Sequence, residues 1–319
     1  MKSSLTIVVH HPLPIPGKKT KKPPISLQKA LTDAVVILRD AGVDSPSLDA
    51  EVLLGKVLGI SRSQLYARLQ EPVESGNLRR FNKLVNKRAH RIPLQYLTGH
   101  VEFMSLDFLM KKGIFIPRPE TELIVEAVLK RVGVSDASSA HGKLKILDIC
   151  TGCGNIAVSI AVGLKDAGEV MVYASDVSSK ALRLARLNAK RHNVGTKISF
   201  HKGSVYRAFR RLGLEGEIDF VVSNPPYVPQ DEWKGLQPEV RDYEDPRALV
   251  AGSDGLDCYR EIVAGAHRWL KPGGWLIMEL GEGQADKVKE LIDEDGHFGD
   301  IETVKDLQGI GRTIIARSS

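Results

Sequence analysis

Only three cysteines occur in the 319 residues, Cys150, Cys153 and Cys258. That is too few for a disulfide framework and agrees with a reducing compartment. No apolar run approaches the roughly 18 residues of a spanning helix, and residues 5–9 are too short for the apolar region of a secretory signal. The chain is therefore expected in the cytoplasm. Acidic residues are missing from the first 25 positions, which hold five lysines, Lys2, Lys18, Lys19, Lys21 and Lys22. Without them the chain has 40 basic against 39 acidic residues, so five of the six net positive charges sit on a Pro-rich tail and the rest is nearly neutral. Residues 1–25 are read as a disordered, solvated leader. A nucleic-acid- or ribosome-contacting arm is the alternative. There is no internal repeat. With 42% hydrophobic and 26% charged residues, the composition suits a globular protein of one large domain and one smaller one.

Leu27, Ala30, Leu31, Ala34, Val35 and Leu38 recur at helical spacing, with Ala41-Gly42 as a stop. Ser61 with Gln64 three residues on forms a capping-box pattern, and Leu78, Phe81, Leu84, Val85 and Arg88 make a second stripe. Residues 26–93 are thus read as a helical domain. Between 94 and 116 the pattern shortens towards two-residue alternation punctuated by Gly99 and Gly113, which predicts a linking hairpin. A helix is expected over 119–131 and a loop over 135–142. From Leu144 short apolar runs at 144–149, 170–175, 197–200, 218–223 and 274–280 alternate with helical segments near 156–164, 178–192 and 254–270. That is a βαβ pattern, an α/β fold with a mostly parallel sheet over 117–319.

The first of these strands runs into Asp148-Ile149-Cys150-Thr151-Gly152-Cys153-Gly154-Asn155 before a helix. Glycines there let a ligand approach backbone amides at the helix start. Asp176, twenty-two residues past Gly154, ends the second strand, where a carboxylate can accept both ribose hydroxyls. Together these mark an adenosine-type cofactor site. Gly152, Gly154 and Ala157 also satisfy the loose dinucleotide pattern. Asp148 favours S-adenosylmethionine, since it can meet the cationic methionine end or brace the loop amides, whereas it would repel a pyrophosphate. It also suits plain capping of neighbouring amides. Cys150 and Cys153 form a C-x-x-C pair, but a structural zinc needs about four ligands and Cys258 is 105 residues away. They read as space-filling, and no metal is expected.

The strand 218–223 delivers Asn224-Pro225-Pro226-Tyr227 at its carboxyl end, the edge where ligands bind in such sheets. An amide or exocyclic amino nitrogen is a poor nucleophile because its lone pair is delocalised, so a site must orient it for in-line displacement. Asn224 and the carbonyl of Pro225 can accept the two N–H groups, Pro225 and Pro226 stiffen the acceptors, and Tyr227 offers a flat face. Acceptors also suit the positive charge that builds on nitrogen. No carboxylate base is required, because the proton can leave to water. A Pro-rich turn with Tyr227 as packing is the bland counterpart.

With these motifs the chain resembles the HemK/PrmC family, the release-factor glutamine N5-methyltransferases, over roughly residues 27–317. The segment Arg91-Ile92-Pro93-Leu94-Gln95-Tyr96-Leu97-Thr98-Gly99 is similar to the family's join between its halves, and Ile116-Pro117-Arg118-Pro119-Glu120-Thr121-Glu122 is the most specific match. Glu239-Val240, Pro246-Arg247-Ala248-Leu249, Gly252 and Asp254-Gly255-Leu256 resemble the stretch after the tetrapeptide. The resemblance implies a seven-stranded Rossmann-like class I methyltransferase domain ending in an antiparallel hairpin near 301–317, with a small N-terminal helical domain that helps dock a release factor. It implies methyl transfer from S-adenosylmethionine to the glutamine side chain of the Gly-Gly-Gln loop. Asn224 to Tyr227 would hold that glutamine, and Thr151 to Gly154, Cys150, Asp148 and Asp176 the cofactor. Gly203-Ser204 stands where many members place an acid near the adenine, so Ser204 takes that position here. The loop Cys-Thr-Gly-Cys-Gly also departs from the commoner Gly-Thr-Gly-Ser-Gly.

Methylation of DNA adenine or rRNA guanine is the nearest competitor, because such enzymes also use Asn-Pro-Pro-Tyr. The near-neutral folded part and the lack of a basic recognition segment speak against it. A cofactor-sensing protein without catalysis has no need of nitrogen acceptors beside the methyl group. A monomer without membrane or nucleic-acid substrate is expected.

Overall fold

The computed structural model describes residues 25–134 and 143–319. The readings of 1–25 as a leader and of 135–142 as a loop lie outside the described residues except at Ile25, whose carbonyl accepts from Val73 N at 2.7 Å. Four helices form the first layer: α1 (Leu27–Asp40), α2 (Pro46–Leu58), α3 (Arg62–Ala67) and α4 (Ser75–Ala89). The Ser26 side chain accepts from Lys29 N at the start of α1, and Ser61 and Gln64 cap α3 reciprocally. Leu38, Leu53, Leu54, Leu65 and Phe81 are fully buried at the centre of the bundle. No stripe in the sequence marks α2, because it buries Asp49 and Glu51 as well as Leu53 and Leu54. Those acids are paired: Arg88 of α4 binds Asp49 at 2.6 Å, and Arg62 and Tyr66 bind Glu51.

The hairpin is shorter than the alternation predicts. Residues 94–98 form a helical turn, α5 (Leu94–Thr98), started by Pro93 and stopped by Gly99 at φ 81°; Leu94 and Leu97 pack on the helical core, and that burial overrides the alternation. Only β1 (His100–Phe103) and β2 (Leu106–Leu109) pair, across a two-residue turn with Met104 and Ser105 both at positive φ.

A single-turn 3₁₀ helix, Pro119–Thr121, leads into α6 (Glu122–Val134). The sheet follows with β3 (Leu144–Ile149), β4 (Val170–Asp176), β5 (Ile198–Lys202), β6 (Ile218–Ser223), β7 (Leu270–Glu279), β8 (Phe298–Lys305) and β9 (Gly311–Ser318). Its order is β5-β4-β3-β6-β7-β9-β8, parallel except for β9, which runs antiparallel to β7 and β8. This is the seven-stranded sheet with the terminal hairpin. Interleaved are α7 (Asn155–Gly163), α8 (Ser179–Arg191), α9 (Pro238–Arg241), α10 (Asp257–Ala266) and α11 (Ala285–Asp295). Apolar clusters cover both sheet faces, so the central strands read as near-continuous apolar runs.

The strand order reverses between β3 and β6, whose ends Ile149 and Ser223 are register partners. Ligands bind outside the carboxyl ends of strands at such a switch point. The loop after β3, Asp176 of β4, Asn224 after β6 and Glu279 of β7 all end at that edge. Among the described residues no helix is long and apolar enough to cross a membrane.

Candidate active site

At this edge lies a cavity of about 360 Å³ lined by Cys150, Thr151, Gly152, Asp176, Ser204, Asn224 and Pro226 among others. The loop after β3 is shaped for close approach. Cys150, Gly152 and Gly154 all take left-handed φ, and Gly154 caps α7 where a β-carbon would stand 3.0 Å from Ala185 Cβ. Asp176 accepts from Gly152 N at 2.9 Å and from Ser178 N at 2.7 Å. Burial pushes its pKa up while these amides hold it down. Each oxygen keeps lone-pair capacity for a further donor.

Asp148 does not reach the cavity. It is wholly buried beneath the loop, accepting from Thr151 Oγ1 at 2.5 Å and Ala157 N at 3.2 Å. These bonds, both to Oδ2, brace the loop, while Oδ1 has no hydrogen-bond partner among the described residues. Burial pushes its pKa up to about 7, against the pull of those donors. Cys153 is likewise buried, and Cys153 and Gly154 lie outside the lining, so both shape the loop rather than face a ligand. Ile114, Phe115, Val177, Val205, Asp245, Arg247 and Cys258 complete the walls, and sequence reasoning missed them because segments distant in the chain bring them in. The charged lining, Asp176, Asp245, Asp257 and Glu261 against Arg247, is net acidic. That suits a cationic sulfonium and amine and disfavours a pyrophosphate.

Beside the cavity the tetrapeptide is built into a buried polar network. Asn224 Nδ2 donates to Thr121 Oγ1 at 3.0 Å, Thr121 donates to Glu279 Oε2 at 2.5 Å, and Tyr227 Oη donates to Glu279 Oε1 at 3.2 Å. Thr121 is fully buried and Glu279 is 2% exposed. Burial pushes Glu279 up to about 7, the Thr121 and Tyr227 hydrogen bonds oppose it, and Glu120 adds to the rise. The Tyr227 phenol is raised too, by burial and by Glu279. Pro225 is buried, and neither it nor Tyr227 lines the cavity; Tyr227 is held by its hydroxyl and by Gln284 Nε2, which donates to its carbonyl at 2.9 Å. Glu279 left a signal in the sequence that pattern reading passed over: a lone acid closing a buried apolar strand next to the one bearing Asn224.

The segment after the tetrapeptide closes the site and ties it to the helices. Glu244 accepts from Ile116 N at 3.2 Å and from Arg118 at 2.5 Å. Glu239 accepts from Arg88 at 2.9 Å and from Arg91 at 2.6 Å, and Tyr243 donates to the carbonyl of His90. Away from the cavity, His267, Asp295 and His297 form a His–Asp group. The two rings stack 3.9 Å apart at 9°, so their Nδ1 lone pairs lie in parallel planes and do not converge on one point.

A seven-stranded sheet with this reversal, an acid-lined cavity at it and an Asn-Pro-Pro-Tyr turn alongside define a class I methyltransferase. A family model described as "PrmC N-terminal domain" matches residues 29–99, and one described as "Methyltransferase small domain" matches 121–236. A release factor glutamine methyltransferase of Geobacter sulfurreducens is 42% identical over 299 residues, 93% of this chain and 99% of the relative. Those of Moorella thermoacetica and Clostridium acetobutylicum are 40% and 36% identical, each over 92% of this chain and 98% of the relative. The chain belongs to the release factor glutamine methyltransferase family.

Proposed function

We propose that this chain methylates the side-chain amide nitrogen of the glutamine in the Gly-Gly-Gln loop of peptide-chain release factors, in the cytoplasm and as a monomer. The methyl donor is S-adenosylmethionine, which supplies a sulfonium-bound methyl group open to attack by nitrogen. Asp176 accepts the ribose hydroxyls, Cys150, Thr151 and Gly152 of the loop border the donor, and Val205 with Ser204 borders the base. Asp148 keeps the loop in shape from below. Asn224 Oδ1 and the carbonyl of Pro225 accept the two amide N–H groups, fixing the plane of the amide so that its nitrogen faces the methyl group. As nitrogen attacks, the bond from methyl to sulfur breaks and positive charge grows on the amide, which the same acceptors stabilise. The proton then leaves to water. The helical domain, residues 26–93, docks the release factor.

The observation that carries this reading is the orientation of Asn224, whose nitrogen is engaged by Thr121 so that its oxygen is left for a donor. The experiment is methyl transfer from labelled S-adenosylmethionine to a purified release factor, beside a Gln→Ala version of its Gly-Gly-Gln loop and beside DNA and rRNA. Label is expected on the wild-type factor alone. Label on nucleic acid instead would move the acceptor to an exocyclic base amine.

A further inference from the structure

Hydrogen-bond directions around Thr121 are constrained by counting protons. The hydroxyl has one proton and can also accept. Glu279 Oε2 stands 2.5 Å from Thr121 Oγ1, and Oε1 stands 3.2 Å from the Tyr227 hydroxyl. An ionised carboxylate only accepts, so the Thr121 proton points at Glu279 and its lone pair is what remains for Asn224. The partner of that lone pair must be a donor, which selects Nδ2 of the Asn224 amide and sets which end faces outward. We propose that Thr121 and Glu279 are positioning residues that set the polarity of Asn224, so that an oxygen rather than an NH2 group meets the substrate amide. The inference rests on the reading of Asn224 as the acceptor for that amide.

The relay has a protonation state in which it works. With Glu279 ionised, only one polarity is possible. A proton added to Glu279 sits either on Oε1, towards Tyr227, or on Oε2. On Oε2 it donates to Thr121, whose own proton then turns to Asn224 and draws the Asn224 oxygen inward. Half of the proton placements therefore present the wrong group. The surroundings put this change near neutrality: burial holds Glu279 up at about 7, Glu120 raises it, and Arg118, Thr121 and Tyr227 lower it. Tyr259 of α10 donates to the Glu279 carbonyl at 2.8 Å, and Arg312 of β9 faces Tyr227.

Methyl transfer to a release factor is measured as kcat and KM between about pH 6 and 8 for the wild type, Thr121→Val, Thr121→Ser and Glu279→Gln. Cofactor affinity and melting temperature are taken alongside. Wild-type kcat rises with pH through about 7, and Glu279→Gln flattens that rise. Thr121→Val, equal in shape but without the relay, loses about tenfold or more in kcat with the cofactor dissociation constant unchanged. Thr121→Ser restores most of it. Stability separates this from misfolding. Glu279 binds its proton more tightly when folded, so the folded form is penalised as pH rises from the ordinary carboxylate range to about 7. Glu279→Gln lifts that penalty, so its melting temperature gains on the wild type with rising pH even as its pH–rate profile flattens. An inactive wild type on any release factor would overturn the substrate reading itself. An active wild type with Thr121→Val unchanged in kcat, or with Thr121→Val and Thr121→Ser equally impaired, would overturn the relay.

Discussion

At the scale of single residues, the site divides carboxylates by their surroundings. Asp148, Asp176 and Glu279 are all raised by burial, yet only Asp176 lines the cavity. Asp148 Oδ2 accepts from Thr151 and Ala157, and the two oxygens of Glu279 accept from Thr121 and Tyr227. Asp176 keeps capacity for two further donors, as a ribose requires. Asp176→Ala is therefore expected to weaken S-adenosylmethionine by about ten- to hundredfold, or about 1.5–3 kcal/mol, the worth of a charged hydrogen bond. Calorimetry on the variant decides it, and an unchanged dissociation constant removes Asp176 from the site. Asp176 was legible because a strand-end acid at this distance from a glycine loop has a stereochemical reason. Thr121 was not, because nothing in a linear pattern says that a threonine ahead of α6 meets an asparagine 103 positions later.

At the scale of elements, the loop joining β3 to α7 shows why glycine is required at one position. Gly154 lies at φ 84°, and an added β-carbon would press on Ala185 Cβ at 3.0 Å and Cα at 3.2 Å. α8 packs that closely, so a side chain here would need Ala185 to shift as well as a strained left-handed backbone. Gly154→Ala is expected to lower stability by about 1–3 kcal/mol and to weaken cofactor binding through the displaced Gly152 amide. A melting curve with and without S-adenosylmethionine measures both, and a variant that matches the wild type in each would refute the packing argument. Cys150 takes left-handed φ without glycine's freedom, and its thiol is set against Cys258 and the apolar cluster under the sheet edge. The strands β3 to β7 were readable because strands buried on both faces are apolar runs bounded by turns, whereas the closing hairpin β8–β9 followed only from the family resemblance, β8 being largely exposed. α2 and α5 were not, since burial against neighbours rather than periodicity or propensity decides them.

At the scale of the whole molecule, buried ion pairs join the helical layer to the sheet domain beside the apolar packing of Tyr96 against the cluster of Ile114, Ala181 and Leu184. Arg88 is 7% exposed and bridges Asp49 of α2 to Glu239 beyond the tetrapeptide, and Arg91 adds two bonds to Glu239. Against burial, these arginines hold the Glu239 carboxyl below its ordinary range. Arg88→Ala strands the buried Asp49 carboxylate and leaves Glu239 to Arg91 alone, and a loss of about 3–5 kcal/mol is expected. Urea unfolding followed by tryptophan fluorescence and far-ultraviolet dichroism tests it, and a midpoint equal to the wild type's would show the bridge to be dispensable. By itself the sequence determined the glycine loop, the strand-end acid and the Asn-Pro-Pro-Tyr turn, because each is a local arrangement whose chemistry lies in adjacent residues. Only the tertiary structure decided that Asp148 lies beneath the loop on Thr151 and Ala157, that Thr121 stands between Asn224 and Glu279, and that Arg88 and Arg91 clasp Glu239. Those outcomes depend on which buried donor meets which acceptor across the core, and the order of residues along a chain does not specify that.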